Sequence, residues 1–236
     1  DGIKWTFAPM VDIARDPRWG RVMEDASEDP FLGSEIAKAR VQGFQGGTDW
    51  HSLNKTNTIL ACVKHFAAYG AAESGRDYNT AELSQHTLWN VYLPPYKAAI
   101  DAGVGTVMAY LNEVNGIPAT ANRYLMTDIL RKQWGFKGFV VTDYTGINEL
   151  IPHGIAADNK HAAELAINAG IDMDMTGSNF IKHLKKSVEE GKVKEEAINT
   201  AVRRILEMKF VLGLFDDPYK FLDENPYSSL VEPENA

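Results

Sequence analysis

The chain has 236 residues, a formal net charge of −8 and a pI of about 5.3. Nucleic acid is a poor partner for such a chain, because phosphate binding requires clustered lysine and arginine side chains. No run of about 18 apolar residues is present, so the sequence predicts no membrane span. The single cysteine, Cys62, lies in an apolar run, which excludes an intramolecular disulfide and indicates a buried structural thiol.

The first half of the chain alternates short apolar runs with longer amphipathic segments. A strand is predicted over residues 5–13, and a helix over residues 30–43 follows it. A second strand is predicted over residues 59–66, before a polar loop that contains glycine. A long helix is then predicted over residues 81–102, with a break at its Pro-Pro pair.

The second half continues the same alternation and ends in two helices separated by a glycine turn. In order, a strand is predicted at 105–110, a helix at 122–134, a strand at 138–143, a helix at 159–169, a strand at 170–175, and helices at 178–190 and 194–212. About five strands are therefore expected.

Alternating strands and helices, without hairpin turn signals, predict a parallel sheet with helices packed outside it. Runs such as Gly-Phe-Val-Val-Thr are almost entirely apolar, which is typical of strands buried on both faces. A doubly wound sheet and a (β/α)8 barrel both satisfy this pattern. No glycine-rich phosphate fingerprint follows any predicted strand, which disfavours a dinucleotide-binding fold.

Polar side chains occur where the predicted strands end. Lys64 and His65 end the second strand, and Tyr110 and Asn112 follow the third. Asp143 and Tyr144 end the fourth strand, and Asp172 and Asp174 lie in the fifth. In a parallel barrel these residues would meet at the C-terminal face, where active sites lie. The loop after the first strand adds a charged group: Arg15, Asp16, Arg18, Arg21, Glu24 and Asp25.

Each of these residues also has a structural explanation. Asp143 could cap a following helix, Lys64 could pair with a carboxylate, and His65 could be a core histidine. Tyr110 could be a packing residue, and a structural network is the better explanation for Asp174. A functional role is favoured because four consecutive strand ends carry ionisable or hydroxyl groups.

These residues resemble glycoside hydrolase family 3 over nearly the whole chain, from about Trp5 to about Phe221. The most specific motif is Phe-Ala-Pro-Met-Val-Asp-Ile-Ala-Arg-Asp-Pro-Arg-Trp-Gly-Arg at residues 7–21. The other motifs are Ser-Glu-Asp-Pro at 27–30, Val-Lys-His-Phe at 63–66, Val-Met-Ala-Tyr at 107–110, Gly-Phe-Val-Val-Thr-Asp-Tyr at 138–144, Ala-Gly-Ile-Asp-Met-Asp-Met at 169–175 and the ending at 209–215. One such motif is a weak indication, whereas the ordered set is a strong one.

The resemblance implies an α/β fold with a parallel (β/α)8 TIM-type barrel that is incomplete at its N-terminal side. Residues 1–215 would be the part of the catalytic barrel that carries the nucleophile. Residues 216–236 would be a linker toward an absent α/β domain, which in this family supplies the acid/base glutamate. The chain alone is therefore expected to have little or no activity.

The resemblance also implies a retaining mechanism, with a covalent glycosyl-enzyme formed on Asp143. The expected substrate-binding residues are Arg21, Lys64, His65, Met108, Tyr110 and Tyr144. The basic side chains would hydrogen-bond sugar hydroxyls, Tyr110 would lie beside the nucleophile, and the other two would form apolar walls. No metal site and no cofactor are expected.

The implied activity is that of an exo-acting β-glycosidase, periplasmic or secreted, which removes terminal non-reducing β-D-glucosyl residues from oligosaccharides or glycosides. The alternatives are a β-xylosidase of the same family and a sugar-binding barrel that has lost catalysis. An aldolase-like barrel with Lys64 as Schiff-base amine is disfavoured, because a neighbouring carboxylate raises a lysine pKa. The loop at residues 67–73 lacks a histidine, which disfavours the family's hexosaminidase branch.

Overall fold

The computed structural model describes residues 2–219 and residue 222. Its strands are β1 (Cys62–Phe66), β2 (Thr106–Ala109), β3 (Glu113–Val114), β4 (Ile117–Pro118) and β5 (Phe139–Thr142). Its α-helices are α1 (Pro30–Gln45), α2 (Gln85–Thr87), α3 (Pro94–Asp101), α4 (Asn159–Ala169), α5 (Asn179–Glu189) and α6 (Glu195–Val211). Two π-helical segments span Leu88–Tyr92 and Tyr124–Gln133. None of the described helices is long and apolar enough to cross a membrane.

The strands β1, β2 and β5 form a parallel sheet with β2 in the middle. The register places Val63 opposite Val107 and Val107 opposite Val140. These three valines are fully buried in the core that also contains side chains of α1, α3 and Tyr124–Gln133. The sheet therefore has one face covered by helices, as the predicted α/β architecture requires.

The opposite face of the sheet is also apolar. Cys62 of β1 and Met108 of β2 pack there with Met208 of α6 and with Leu212, which follows α6. Cys62 has no exposed surface, and burial raises the pKa of its thiol to about 12. Burial on both faces explains why the strand sequences are apolar throughout.

The prediction that about five strands share the parallel sheet is wrong for the described residues, in which that sheet has three strands. The predicted strand at residues 5–13 pairs with the sheet through single bridges at Trp5 and Met10. Pro9 lies between these two residues and has no N–H group to donate to a regular ladder.

The predicted strand at residues 170–175 pairs with β5 through a single bridge at Met173. A carboxylate oxygen of this segment accepts the Val140 N–H, which a regular ladder would use. Asp174 accepts a hydrogen bond from the N–H of Asn179 in the first turn of α5, which is the structural role predicted for it. The described strands do not complete an eight-stranded barrel.

A short hairpin contradicts the prediction that the chain lacks hairpin turns. The strands β3 and β4 flank Asn115 and Gly116, whose φ angles are 53° and 81°. Asn-Gly is the favoured pair for a two-residue hairpin turn with positive φ. The N–H of Ala81 donates to the carbonyl of Glu113 beside this hairpin, so the helix predicted from residue 81 begins later, at Gln85.

A close backbone contact joins the loop after β1 to the segment that follows residue 13. A Cβ atom at Gly70 would lie 2.2 Å from the carbonyl oxygen of Ile13. The Gly70 carbonyl also accepts a hydrogen bond from the N–H of Arg15 at 2.9 Å. Glycine allows this approach because it has no side chain, and the two loops are thereby held together.

Asp172 is the centre of a buried charged network behind the sheet. Its Oδ2 accepts hydrogen bonds from Arg131 Nη2 at 2.6 Å and from the Val140 N–H at 2.8 Å. Its Oδ1 accepts a hydrogen bond from Arg204 Nη1 at 2.8 Å. Burial raises the pKa of Asp172 despite these cations, and burial lowers the pKa of Arg131 to about 10. The network ties β5 to Tyr124–Gln133 and to α6.

Replacing Asp172 with Ala is expected to lower the free energy of unfolding by about 3–5 kcal/mol, because the buried Arg131 guanidinium loses its counter-ion. Arg204→Met is the matched control, since the Arg204 side chain is 26% exposed and that of Arg131 is 9% exposed. Arg204→Met should lower the free energy of unfolding by less than Asp172→Ala does. Denaturant unfolding of the full-length protein measures both variants, and equal losses would contradict the burial argument.

Asp25 carries a buried carboxyl group in the charged loop after residue 13. Both of its carboxyl oxygens are buried, and no described side chain donates a hydrogen bond to either. Burial, and after it the negative charge of nearby Asp12, raise the pKa of Asp25 to about 8. The folded protein therefore holds a proton on Asp25 at neutral pH.

Because of this proton, the free energy of unfolding should fall as the pH rises from about 4 to about 8. An aspartate in an unfolded chain has a pKa of about 3.9, below the folded value for Asp25, so the folded state binds the additional proton. The stabilisation of the folded state by this proton is complete below about pH 4 and is lost as the pH rises toward 8. The variant Asp25→Asn cannot ionise, so its melting temperature should exceed that of the wild type at pH 8 more than at pH 4. A difference that stays constant in thermal unfolding across this range would contradict the assignment.

Candidate active site

Asp143, the candidate nucleophile, follows β5 directly at the carboxyl end of the sheet. Its Oδ1 accepts a hydrogen bond from the Tyr144 N–H at 2.7 Å. Its Oδ2 lies 3.8 Å from Nε2 of His65, and the side chain of Asp143 is 21% exposed. The structure thus brings together carboxylate and imidazole groups from two different strands.

Arg21 completes this polar group from the loop after residue 13. Its Nη1 lies 3.3 Å from His65 Nε2, while Nε and Nη2 each donate to the Glu24 carboxylate at 2.7 Å. The hydrogen bonds between Arg21 and Glu24 raise the pKa of the guanidinium and lower the pKa of the carboxyl. Both groups stay charged, and the two-pronged contact fixes the direction of the guanidinium.

Tyrosine rings form a wall beside His65. The rings of Tyr69 and Tyr110 meet the imidazole edge-on at centroid distances of 5.0 and 5.1 Å, and they stack on each other at 3.6 Å. Tyr78 lies parallel to Tyr110 at 6.2 Å. Burial raises the pKa of Tyr110, so its hydroxyl keeps its proton. The Asp143 N–H donates to the carbonyl of the residue before Tyr110, which places this wall beside the candidate nucleophile.

The other predicted site residues occupy different positions. Lys64 of β1 is half-buried, and its charge adds to the effect of Arg21 in lowering the pKa of Glu24, which places it near the charged loop. Met108 is 2% exposed and belongs to the apolar cluster on the α6 side of the sheet. Tyr144 is 64% exposed at the rim.

Two supporting residues, Asp12 and Tyr96, are not among the residues predicted from the sequence. Asp12 accepts hydrogen bonds from His65, and the hydroxyl of Tyr96 lies within hydrogen-bond distance of Asp12. Asp12 interrupts the apolar sequence Met-Val-Asp-Ile, and a carboxylate in such a run indicates a buried partner. Tyr96 carries no comparable signal, because a tyrosine in an apolar helix is ordinarily a packing residue.

A concavity found elsewhere on the molecule is lined by none of the predicted site residues. Among residues 2–219 and 222, no group of three or more His, Cys, Asp or Glu side chains is arranged to bind a metal ion. The concavity has a volume of about 800 Å³ and lies at the opposite ends of the strands, lined among others by Trp50, Gly103 and Phe136. The polar group at the carboxyl ends can bind hydroxyl groups and can present the Asp143 carboxylate to an electrophilic carbon.

Known proteins share this sequence over most of its length. Residues 1–208 match the model of the glycosyl hydrolase family 3 N-terminal domain. A periplasmic beta-glucosidase of Salmonella typhimurium is 46% identical over 222 residues, which are 94% of this chain and 28% of that protein. A putative beta-xylosidase of Formosa agariphila is 36% identical over 225 residues, which are 94% of this chain and 30% of that protein.

A solved structure shares the fold as well. The crystal structure of beta-glucosidase from Listeria innocua in complex with glucose superposes with a TM-score of 0.94 at 48% identity, covering 100% of this chain and 32% of that chain. The chain thus spans about a third or less of the length of the relatives it matches. From the match over residues 1–208 and the shared parallel α/β fold, the chain belongs to glycoside hydrolase family 3.

Proposed function

We propose that the protein containing this chain is a retaining, exo-acting β-glycosidase that removes terminal non-reducing β-D-glucosyl residues from oligosaccharides or glycosides. The observation that carries the proposal is the Asp143 carboxylate at the carboxyl end of β5, 3.8 Å from His65 Nε2. The named relatives, a beta-glucosidase and a putative beta-xylosidase, support it. In this proposal the parallel sheet is part of a (β/α)8 barrel, whose active site lies at the carboxyl ends of its strands.

The proposed reaction has two steps. Asp143 attacks the anomeric carbon, and a carboxylic acid gives its proton to the leaving oxygen as the glycosidic bond breaks. The resulting ester is hydrolysed by water, from which the same acid group, now a base, takes a proton. The hydrogen bond from the Tyr144 N–H holds Oδ1 of Asp143, so Oδ2 is the oxygen that faces His65.

Substrate binding is assigned to the groups around the nucleophile. Arg21, Lys64 and His65 hydrogen-bond sugar hydroxyls at the deepest subsite. Because Glu24 engages Nε and Nη2 of Arg21, Nη1 is the guanidinium nitrogen directed toward His65 and the sugar. The remaining contacts are assigned to Met108, Tyr110 and Tyr144.

The rest of the catalytic apparatus is assigned to the parent protein. Residues 1–215 form the nucleophile-bearing part of the barrel, and residues 216–236 form the linker to an α/β domain with the acid/base glutamate. Residues 220, 221 and 223–236 of this linker lie outside the described part of the chain. The length of the relatives, of which the chain covers 28–32%, supports the further domain. The Salmonella relative's name supports a periplasmic or secreted location.

A fluorinated substrate tests the nucleophile. The full-length protein is expected to be inactivated by 2-deoxy-2-fluoro-β-glucosyl fluoride, with a hexosyl adduct on the peptide that contains Asp143. Asp143→Ala should lower kcat/KM for an aryl β-glucoside by about 10⁴-fold or more. Azide should partly restore turnover in this variant and give the α-glucosyl azide, because the small anion attacks where the carboxylate is missing. Peptide mass spectrometry and product analysis measure these outcomes.

The matched control is Asp128→Ala, since Asp128 pairs with Lys132 on an exposed surface and should not affect turnover. An adduct on another residue would refute the role of Asp143. Faster hydrolysis of aryl β-xylosides than of β-glucosides would favour the β-xylosidase alternative. Glucose binding without turnover of either substrate would favour the sugar-binding barrel that has lost catalysis.

The 236-residue chain expressed alone is expected to hydrolyse aryl β-glucosides about 10²–10⁴-fold more slowly than the full-length protein, the usual contribution of a general acid–base group. Side-by-side assays at equal molar concentration measure the ratio. Equal activity would place the acid/base group within this chain, and Glu73 in the loop after β1 would then be the first residue to replace.

A further inference from the structure

The imidazole of His65 lies within hydrogen-bond distance of the buried carboxylate of Asp12. Asp12 Oδ2 accepts a hydrogen bond from the backbone N–H of His65 at 3.0 Å and lies 2.9 Å from the ring nitrogen Nδ1 of His65. The hydroxyl of Tyr96 lies 2.6 Å from Asp12 Oδ1 and 2.6 Å from the carbonyl oxygen of His65. All three residues are at most 2% exposed, so each contact is made without competing water.

These contacts determine where the imidazole carries its proton. An ionised carboxylate can only accept hydrogen bonds, so the short contact with Asp12 requires a proton on Nδ1. On the other side, Nη1 of Arg21 lies 3.3 Å from Nε2. A guanidinium can only donate, so this contact requires a lone pair on Nε2. The distance of 3.8 Å from Nε2 to Asp143 Oδ2 is too long for a hydrogen bond, so the two groups share no proton.

We propose that Asp12, itself held by Tyr96, is a positioning residue that fixes His65 as the neutral Nδ1–H tautomer and presents Nε2 to the sugar as an acceptor. This inference rests on the proposed function. A sugar hydroxyl that replaces the direct contact between Arg21 and His65 then accepts a hydrogen bond from Arg21 and donates its own proton to the single lone pair of His65 Nε2. The pair recognises a hydroxyl through both of its hydrogen-bonding roles, and the nucleophile keeps its carboxylate free of a neighbouring proton.

Fluorine distinguishes an acceptor Nε2 from a donor Nε2, because carbon-bound fluorine can accept a hydrogen bond but cannot donate one. Aryl β-glucosides with a single hydroxyl at C3, C4 or C6 replaced by hydrogen or by fluorine therefore probe the contact. At the hydroxyl bound by His65, both replacements should lower kcat/KM of the full-length protein by about 10²–10⁴-fold, since a buried acceptor is left unpaired. A fluoro analogue that is well tolerated at every position, while the deoxy analogue is not, would overturn the assigned tautomer.

The role of Asp12 is tested with Asp12→Asn. The amide has the shape of the carboxylate, and its nitrogen can donate to the Tyr96 oxygen while that hydroxyl donates to the His65 carbonyl. The fold should therefore persist, and the amide oxygen left facing Nδ1, a neutral and weaker acceptor than a carboxylate, should hold the proton there less strongly. The expected result is about a 10–100-fold loss of kcat/KM for the glucoside, by analogy with residues that orient metal-binding histidines. The penalty for the fluoro analogue should shrink by at least about tenfold.

Histidine ¹⁵N NMR of the full-length protein reads the tautomer directly, with the His65 signals identified by their absence in His65→Gln. The wild type should show a protonated Nδ1 and an unprotonated Nε2, and Asp12→Asn should show an appreciable Nε2–H population. Tyr96→Phe keeps the charge of Asp12 and removes one donor to it, so it should change the same quantities in the same direction by less. If Asp12→Asn does not fold, Tyr96→Phe alone supplies the test.

An Nε2–H signal in the wild type, or unchanged tautomer and fluorine discrimination in every folded variant, would overturn the inference. These outcomes are separate from the proposed function. If aryl glucosides are hydrolysed but the wild-type His65 is protonated at Nε2, the inference fails and the glycosidase proposal stands. If no glycoside is hydrolysed but the NMR signals shift as expected in Asp12→Asn, the positioning role stands and the glycosidase proposal fails.

Discussion

Parallel pairing of β1, β2 and β5 is the constraint on which the rest of the structure depends. Because the strands run in the same direction, their carboxyl ends share one edge, and His65 and Asp143 meet there although they are far apart in sequence. Both faces of the sheet are covered by apolar side chains. The ionisable groups of the candidate site therefore lie at the strand ends, outside the apolar layers.

The order of strands and helices was predictable because buried strands are apolar throughout and helices carry their own end signals. The predicted helix at residues 159–169 agrees with α4, whose first turn is capped by Asp158 and whose end is left-handed at Gly170. The predictions failed where side chains or turns redirect the backbone. The Asp172 carboxylate accepts a hydrogen bond from the Val140 N–H, which a regular sheet would use for strand pairing. The Asn-Gly turn after residue 114 forms a hairpin that apolar periodicity does not reveal.

Some residues of the candidate site were likewise predictable from the sequence, whereas others were not. Arg21, His65 and Asp143 stand out in the sequence because ionisable groups at strand ends are unusual, and the structure places them within hydrogen-bonding or near-contact distance of one another. Asp12 and Tyr96 do not stand out, because each has an ordinary explanation within its own segment. Their common role depends on α3 packing against the strand that carries His65, a contact between distant parts of the chain that no local pattern encodes.

The complete burial of Cys62 has a consequence for how the protein can be observed. Thiol reagents and oxidants react with the thiolate, and a thiol with a pKa of about 12 holds almost none of it at neutral pH. The reagent must also reach the sulfur atom, and Met208 and Leu212 block it while they cover this face of the sheet. The thiol therefore becomes reactive when α6 separates from the strands. The rate at which Cys62 is alkylated thus counts the opening events of this part of the fold, in the way that hydrogen exchange counts them at backbone amides.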